Sequence, residues 1–275
     1  MKYSSYIQEN NMPGMDCGFN DTDGYYMSDM HWHPYYEVLV IRTVGNYTIS
    51  NSGSEYSGTG PAVFIQRPYT PHRLCAAPDE RYERYIINID RSSLKGFPDV
   101  ANELSLYENA CLFMVIPTGS ELRGLCAICE NILDASKRRD RVDSVLFKIM
   151  LLHHISMLSD SGHNVTGRKR LSYIQDVLQY VSENLSERIT LGSVCERFGV
   201  GRTKFSEDFT AATGVAFKKY LTDLRQIHAR ELIADGSSVI NASLEAGYTS
   251  EAHFIKIFRE YWGMTPGEFR SSLKN

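Results

Sequence analysis

The sequence predicts an α+β protein in two domains: a β-rich barrel with flanking helices, then an all-α domain with two helix-turn-helix units. Three observations carry this reading. Residues 35–90 alternate strand-forming runs with Gly and Pro punctuation. Residues 121–159 switch to helical periodicity. Residues 190–270 hold one spacing twice: Phe205, Phe209, Gly214 and Tyr220 recur 49 positions later as Phe254, Phe258, Gly263 and Phe269.

The chain has 275 residues, enough for two domains. Its 43% apolar content is that of an ordinary globular protein. No run approaches the roughly 18–20 apolar residues a membrane helix needs, and the opening MKYSSYIQENNMPG lacks a signal-peptide core. A cytoplasmic protein with no membrane association is expected, with its six cysteines as thiols. Net charge is −4, but it is unevenly spread. Residues 168–275 carry 15 Lys and Arg against 13 Asp and Glu, or +2, leaving −6 on the remainder. Affinity for a polyanion must then come from where the cations sit, not from a general field.

In the first half, YYEVLVIRT and NYTISNS flank Val44-Gly45, which predicts a hairpin there. PAVFIQRP and YERYIINID are further strands. Within HWHPYYE, His31, His33, Tyr35 and Glu37 share parity with Leu39 and Ile41, so an extended chain points them to one face. Pro68 and His72 follow on a later turn and strand. Three imidazoles and a carboxylate suit Fe, Mn, Zn or Ni. They suit equally the lining of a small-molecule pocket, or satisfied polar groups inside a barrel, and the residues leave all three open. Trp32, Tyr35 and Tyr36 would stack on a sugar ring or fill a core.

Residues 121–137 and 142–159 read as two helices, with Leu122, Leu125, Cys126, Cys129 and Leu133 on one stripe and Val145, Ile149, Leu152 and Ile155 on the other. Cys126 and Cys129, one turn apart with no second pair, read as small hydrophobes rather than zinc ligands. Residues 161–170 are polar and Gly-containing, a linker composition.

From residue 171 the helices are short and regularly capped. Leu171, Ile174, Leu178 and Val181 face inward on the first, and Thr190 caps the next. Aromatics four apart share a helix face, and Gly after them suits a left-handed cap. Each copy thus reads as helix, tight turn, second helix and Gly stop, a unit whose second helix enters the DNA major groove. With Phe205 and Phe209 buried, Arg202, Thr203, Lys204, Ser206, Glu207 and Thr210 face outward. With Phe254 and Phe258 buried, Ser250, Glu251, His253, Lys256 and Arg259 do. These eleven are the expected DNA contacts, with Lys256 and Arg259 on phosphates, and Arg202, Glu251 and His253 at base edges.

LGSVCERFGVGRTKFSEDFTAATGVAFKKYLTDLRQIHAREL followed by ASLEAGYTSEAHFIKIFREYWGMTPGEFR resembles the double helix-turn-helix domain of AraC/XylS-type transcription regulators. H-x-H-x-x-x-E with a later His resembles the metal-binding pattern of cupins, a pattern such regulators keep as a metal-free vestige. Gly45 falls one residue late for that pattern, and the glycine before His72 is absent. The resemblance implies a cupin-like effector domain at 1–117, a helical dimerisation segment at 118–160, a linker at 161–170 and a DNA-binding domain at 171–275. It implies a transcriptional activator or repressor that binds double-stranded DNA as a homodimer and contacts RNA polymerase. A small-molecule effector such as a sugar would be held by His31, His33, Tyr35, Glu37 and His72. No catalytic residue, metal or cofactor is expected; the rival reading is a metal-dependent cupin enzyme with an accessory helical domain. Two departures stand out. Gly201 replaces the usual capping Ser, and Glu207 and Asp208 put acid where the family has basic and apolar residues.

Overall fold

The computed structural model describes residues 17–27, 29–43, 45–51, 54–94, 97, 100, 107, 113–159 and 173–273. The expected linker at 161–170, Leu171 and Cys111 lie outside the described residues. The chain divides into two compact units, meeting at residues 170 and 171.

The first unit holds a seven-stranded antiparallel sheet: β1 (Cys17–Tyr26), β2 (Tyr36–Thr43), β3 (Asn46–Asn51), β4 (Ser54–Thr59), β5 (Ala62–Gln66), β6 (His72–Ile89) and β7 (Phe113–Val115). β6 is its spine. β1 runs along one edge of β6, while β2 and β3 share the other. Val44 of the expected Val44-Gly45 hairpin lies outside the described residues. Among the described residues β2 pairs with the second half of β6 and β3 with the first half, and no pair joins β2 to β3.

The reason is a corner. In the ladder Glu37 sits opposite Asn88, and Asn51 opposite His72, ends of β6 that would lie ~50 Å apart if it were straight. Yet Asn51 Nδ2 donates to Oε1 of Gln66, Glu37's neighbour on β5, at 2.7 Å. β6 therefore doubles over, and its two halves belong to facing layers joined by bent strands. The bend falls at residues 77–80, where the β1 register jumps from Asp23/Arg81 to Tyr25/Ala76. Gly24 takes the inside of this corner at φ 80°, and a Cβ there would meet the Ala77 carbonyl oxygen and Pro78 Cα at 3.0 Å. The chain crosses the same corner at Gly45, where Asn46 N donates to Glu80 Oε2 at 2.7 Å.

Parity then sorts the side chains. Val38, Val40, Val63, Ile65, Ile87 and Ile89 point outward into a core shared with α1 (Gly119–Lys137), which packs on β1, β2 and β6, and α2 (Arg141–Leu158), which packs on α1. Leu39, Ile41, Tyr47, Ile49, Phe64, Leu74 and Tyr82 point inward, filling the space between the layers. Cys129 is wholly buried and Cys126 half-buried against the outer core, the small-hydrophobe use expected of them. Burial pushes both thiols up, Cys129 furthest.

The second unit is helical: α3 (Tyr173–Glu183), α4 (Leu191–Arg197), α5 (Arg202–Thr213), α6 (Phe217–Ala234), α7 (Val239–Glu245), α8 (Glu251–Trp262) and α9 (Pro266–Ser272). Among the described residues no helix is long and apolar enough to cross a membrane. Side chains of Thr190, Ser238, Ser250 and Thr265 cap four helices, whereas Gly201 opens α5 with no side-chain bond.

Gly24→Ala should lower unfolding stability by about 1–2 kcal/mol, since a Cβ is strained there by both φ and contact. Gly18→Ala, on the same strand with no atom within 4 Å of the new Cβ, should leave the urea midpoint of the full chain in place. Equal midpoints for the two variants would remove the corner as the fold's constraint.

Candidate functional site

Two regions gather the residues singled out by sequence, one in each unit. In the helical unit the doubled spacing is a doubled structure. Phe205, Phe209, Phe254 and Phe258 are each 0% exposed. Both pairs have ring centroids 5.5 Å apart. Gly214 and Gly263 end the two helices at φ 78° and 75°, left-handed caps that most side chains would resist. Phe217 and Tyr220 close the first core at 5.4 Å from Phe205 and Phe209. In the second copy Phe269 fills the place of Tyr220. α6 serves both copies. Arg225 Nη2 donates to the Glu187 carbonyl at 2.7 Å, and the Arg230 guanidinium lies 4.3 Å over the Trp262 ring.

With the aromatics inside, all eleven expected contacts are exposed: Arg202, Thr203, Lys204, Ser206, Glu207, Thr210, Ser250, Glu251, His253, Lys256 and Arg259. Their local bonds separate them. Ser250 caps α8 by accepting from His253 N, and Ser206 Oγ donates back to the Arg202 carbonyl, so both hydroxyls serve their helices. Lys204 is paired with Asp208 at 2.8 Å. The Tyr173 hydroxyl donates to the same carboxylate at 2.6 Å, and Lys204 and Tyr173 together hold it below the usual carboxylate range. Asp208 is thus a strut between α3 and α5, its carboxylate bonded to Tyr173 and Lys204. Glu207 stays exposed.

The 49-residue offset also exposes an omission. Thr203, Ser206, Glu207 and Thr210 form one stripe on α5; its counterparts on α8 are Ala252, Ile255, Lys256 and Arg259. Ala252 is exposed in the middle of the reading face and was not singled out. The repeat register is the signal that finds it, and a methyl there suits a thymine methyl. The two stripes differ in charge, with one acid on α5 and two cations on α8.

In the first unit, the corner in β6 brings together four residues that the ladder would hold far apart. His31 and His33 come from the segment before β2, Glu37 from β2 and His72 from the start of β6. His31 and His72 exchange backbone bonds, N to O, at 2.9 Å in both directions. One ligand-type atom from each of the four lies within 4.8 Å of the others. His31, His33 and His72 are 7%, 3% and 3% exposed. His33 Nδ1 donates to the Tyr35 carbonyl and His72 Nδ1 to the Thr70 carbonyl, each at 2.8 Å. A carbonyl only accepts, so both rings carry a proton on Nδ1 and turn Nε2 inward. Those Nε2 atoms lie 3.6 and 3.5 Å from the two Glu37 oxygens, beyond good hydrogen-bond length. Burial, joined by the neighbouring His72, lowers the His31 pKa well below 6.5, and burial lowers that of His33. Burial would raise the Glu37 carboxyl, but the imidazoles of His33 and His72 outweigh it and hold it well below 4.5. Near neutral pH His31 and His33 are therefore neutral rings beside an ionised Glu37 carboxylate.

Tyr35 is placed differently from its expected role. Its ring stacks on His33 at 4.3 Å and 7°, supporting the imidazole from behind rather than lining the space in front. Tyr36 has the opposite parity and lies in the outer core. The space in front is a cavity of about 30 Å³, room for one water. Its walls include His31, Glu37, His72, Gln66, Tyr82 and Arg84. Arg84 was missed by sequence reading because its strand position alternates with apolar residues. It is 4% exposed, its guanidinium lies 3.8 Å over Tyr25 and 4.8 Å over Tyr82, and its Nη1 is buried with no hydrogen-bond partner among the described residues.

Comparison with known proteins assigns both regions. A family model described as an AraC-like ligand binding domain matches residues 12–148, and one described as a helix-turn-helix domain matches residues 194–272. Thermoregulatory protein LcrF of Yersinia pestis is 24% identical over 248 residues, 84% of this chain and 88% of that one. The HTH-type transcriptional activator RhaS of Yersinia pseudotuberculosis is 22% identical over 266 residues, covering 88% and 89%. Among solved structures, ToxT from Vibrio cholerae aligns over 94% of this chain and all of its own with a TM-score of 0.41 at 14% identity.

Proposed function

We propose that this chain, which belongs to the AraC family of DNA-binding transcriptional regulators, reads one asymmetric operator with α5 and α8 in successive major-groove turns. The observation that carries this is the doubled aromatic wedge, which turns both helices' polar stripes to solvent. The two stripes divide the work. Lys256 and Arg259 on α8 take phosphates and supply most of the salt-dependent affinity; Ala252 meets a base methyl. On α5, Arg202 and Thr203 contact the duplex, and exposed Glu207 accepts from a cytosine amino group. The reading assigns no catalytic residue and places the protein in the cytoplasm, where it meets DNA and RNA polymerase.

The same reading makes the chain a homodimer. α2 exposes Val142, Leu146, Met150 and Met157, at 69%, 44%, 51% and 56%, along one side of a helix whose other side packs against α1. A second copy of this helix would cover that apolar stripe. The effector enters the space between the two layers of the first unit, where Arg84 Nη1 offers a buried donor to a ligand oxygen. A sugar hydroxyl satisfies that donor, but a ring needs more than the volume of one water, so the layers must part to admit it. Such an effector acts by favouring one arrangement of the DNA-binding units over another.

A salt titration of duplex binding tests the reading, with fragments selected from the source genome. Lys256→Ala and Arg259→Ala should each flatten the slope of log affinity against log salt by about 0.9, the release of one counterion. Glu207→Lys should steepen it by about the same amount. Absence of any salt-dependent binding by the full chain removes the proposal. Leu146→Glu with Met150→Lys should turn a sedimenting dimer into a monomer; an unchanged sedimentation coefficient would remove α2 as the interface.

A further inference from the structure

The four-residue cluster of the first unit has a feature that a pocket rim or a hydrogen-bonded core network does not explain. His31 Nδ1, His33 Nε2 and His72 Nε2 are all buried, and none has a hydrogen-bond partner among the described residues. An unsatisfied buried polar atom ordinarily costs about 1–3 kcal/mol, and here three such rings and a carboxylate each bring a ligand-type atom within 4.8 Å of the others. From this convergence we infer that the protein binds one divalent first-row transition-metal ion through His31, His33, Glu37 and His72. The inference rests on reading the first unit as the ligand-binding half of the regulator, and it adds a metal ion beside the space an effector would enter.

Geometry supports it in three independent ways. First, two ligands at ~2.1 Å from one ion and ~90–110° apart are separated by ~3.0–3.4 Å. The Glu37 oxygens lie 3.6 and 3.5 Å from His33 and His72 Nε2. A hydrogen-bonded pair would be shorter, and an unrelated pair has no reason to be so close. Second, the Nδ1–H groups of His33 and His72 are tied to the carbonyls of Tyr35 and Thr70. An outer hydrogen bond of this kind fixes the tautomer and aim of a metal-binding imidazole. Third, the ligands arrive already ordered. The two-way backbone bond between His31 and His72, with Tyr69 N donating to the His33 carbonyl at 2.7 Å, locks three of the four segments together. Three imidazoles and one carboxylate suit Zn, Fe, Ni or Co better than Mg or Ca, which prefer all-oxygen sites. Arg84 and Gln66 across the cavity leave the remaining coordination positions facing the space an effector would enter.

The test uses untagged full-length protein stripped with a chelator and titrated with Co²⁺, read by visible absorption and by elemental analysis. One ion per chain is expected, with affinity falling at least about tenfold in His33→Ala and in His72→Ala, while circular dichroism matches the parent. Wild-type binding no tighter than that of the His33→Ala/His72→Ala double variant overturns the inference. Because these variants also remove buried side chains from the first unit, X-ray absorption of the zinc-loaded wild type gives a second reading. Imidazole scattering with no sulfur shell is expected; a sulfur shell would assign the ion to cysteine and overturn the site. Duplex binding is measured on the same preparations. DNA binding without Co²⁺ overturns the metal site alone, and Co²⁺ binding without DNA overturns the regulator reading alone.

Discussion

A helix that must expose a polar stripe to a duplex needs its other side held by something that cannot rotate away. In this protein the anchor is a pair of phenylalanines one turn apart, wholly buried, with the rings 5.5 Å between centroids in both copies. Large rings at i and i+4 fix both the depth and the roll of the helix. Truncating one would cost about 3–5 kcal/mol and leave a cavity, and rotating one out would expose comparable area. A left-handed glycine then stops each helix before its own aromatic anchor, Tyr220 or Phe269, closes the core. Everything said of Lys256, Arg259 or Glu207 follows from that wedge, since they are outward only because the aromatics are inward.

The first unit depends on a different constraint, the corner at residues 77–80 of β6. A strand that doubles over serves both layers at once and leaves its first residue, His72, beside a partner of its last residues, Glu37. The inner face so enclosed is mostly apolar, which makes its few polar members costly and therefore informative. Arg84 is held by two tyrosine faces, and His33 and His72 by backbone carbonyls on one nitrogen only. Both units share a strategy: apolar packing fixes the direction of a small number of polar atoms that the fold itself does not satisfy.

Much of this was legible in the sequence because it is written in periodicity. The repeated aromatic spacing located both wedges and the glycine caps, and strand parity placed His31, His33 and Glu37 on one face. Parity does not see a bend. Val44-Gly45 has hairpin composition, yet both flanking strands find partners on β6, some thirty residues downstream, and Gly45 lies at the corner. Arg84 was invisible for the opposite reason, since an arginine alternating with apolar residues reads as the solvent side of a strand until its cation–π partners, Tyr25 on β1 and Tyr82 on β6 itself, are known. Asp208 read as a misplaced acid because its partner Tyr173 lies 35 positions away. Ala252, by contrast, was recoverable from the 49-residue offset alone.

Hydroxyl-radical footprinting of the protein on a selected genomic fragment tests the doubled reader most directly. Two helices held alike and bridged by α6 predict two protected windows per chain, roughly 10 base pairs apart and on one face of the duplex. Phe254→Ala should erase one window and spare the other. A single protected window for each chain, or both windows lost together in that variant, would contradict an account in which each helix is anchored by its own pair of rings.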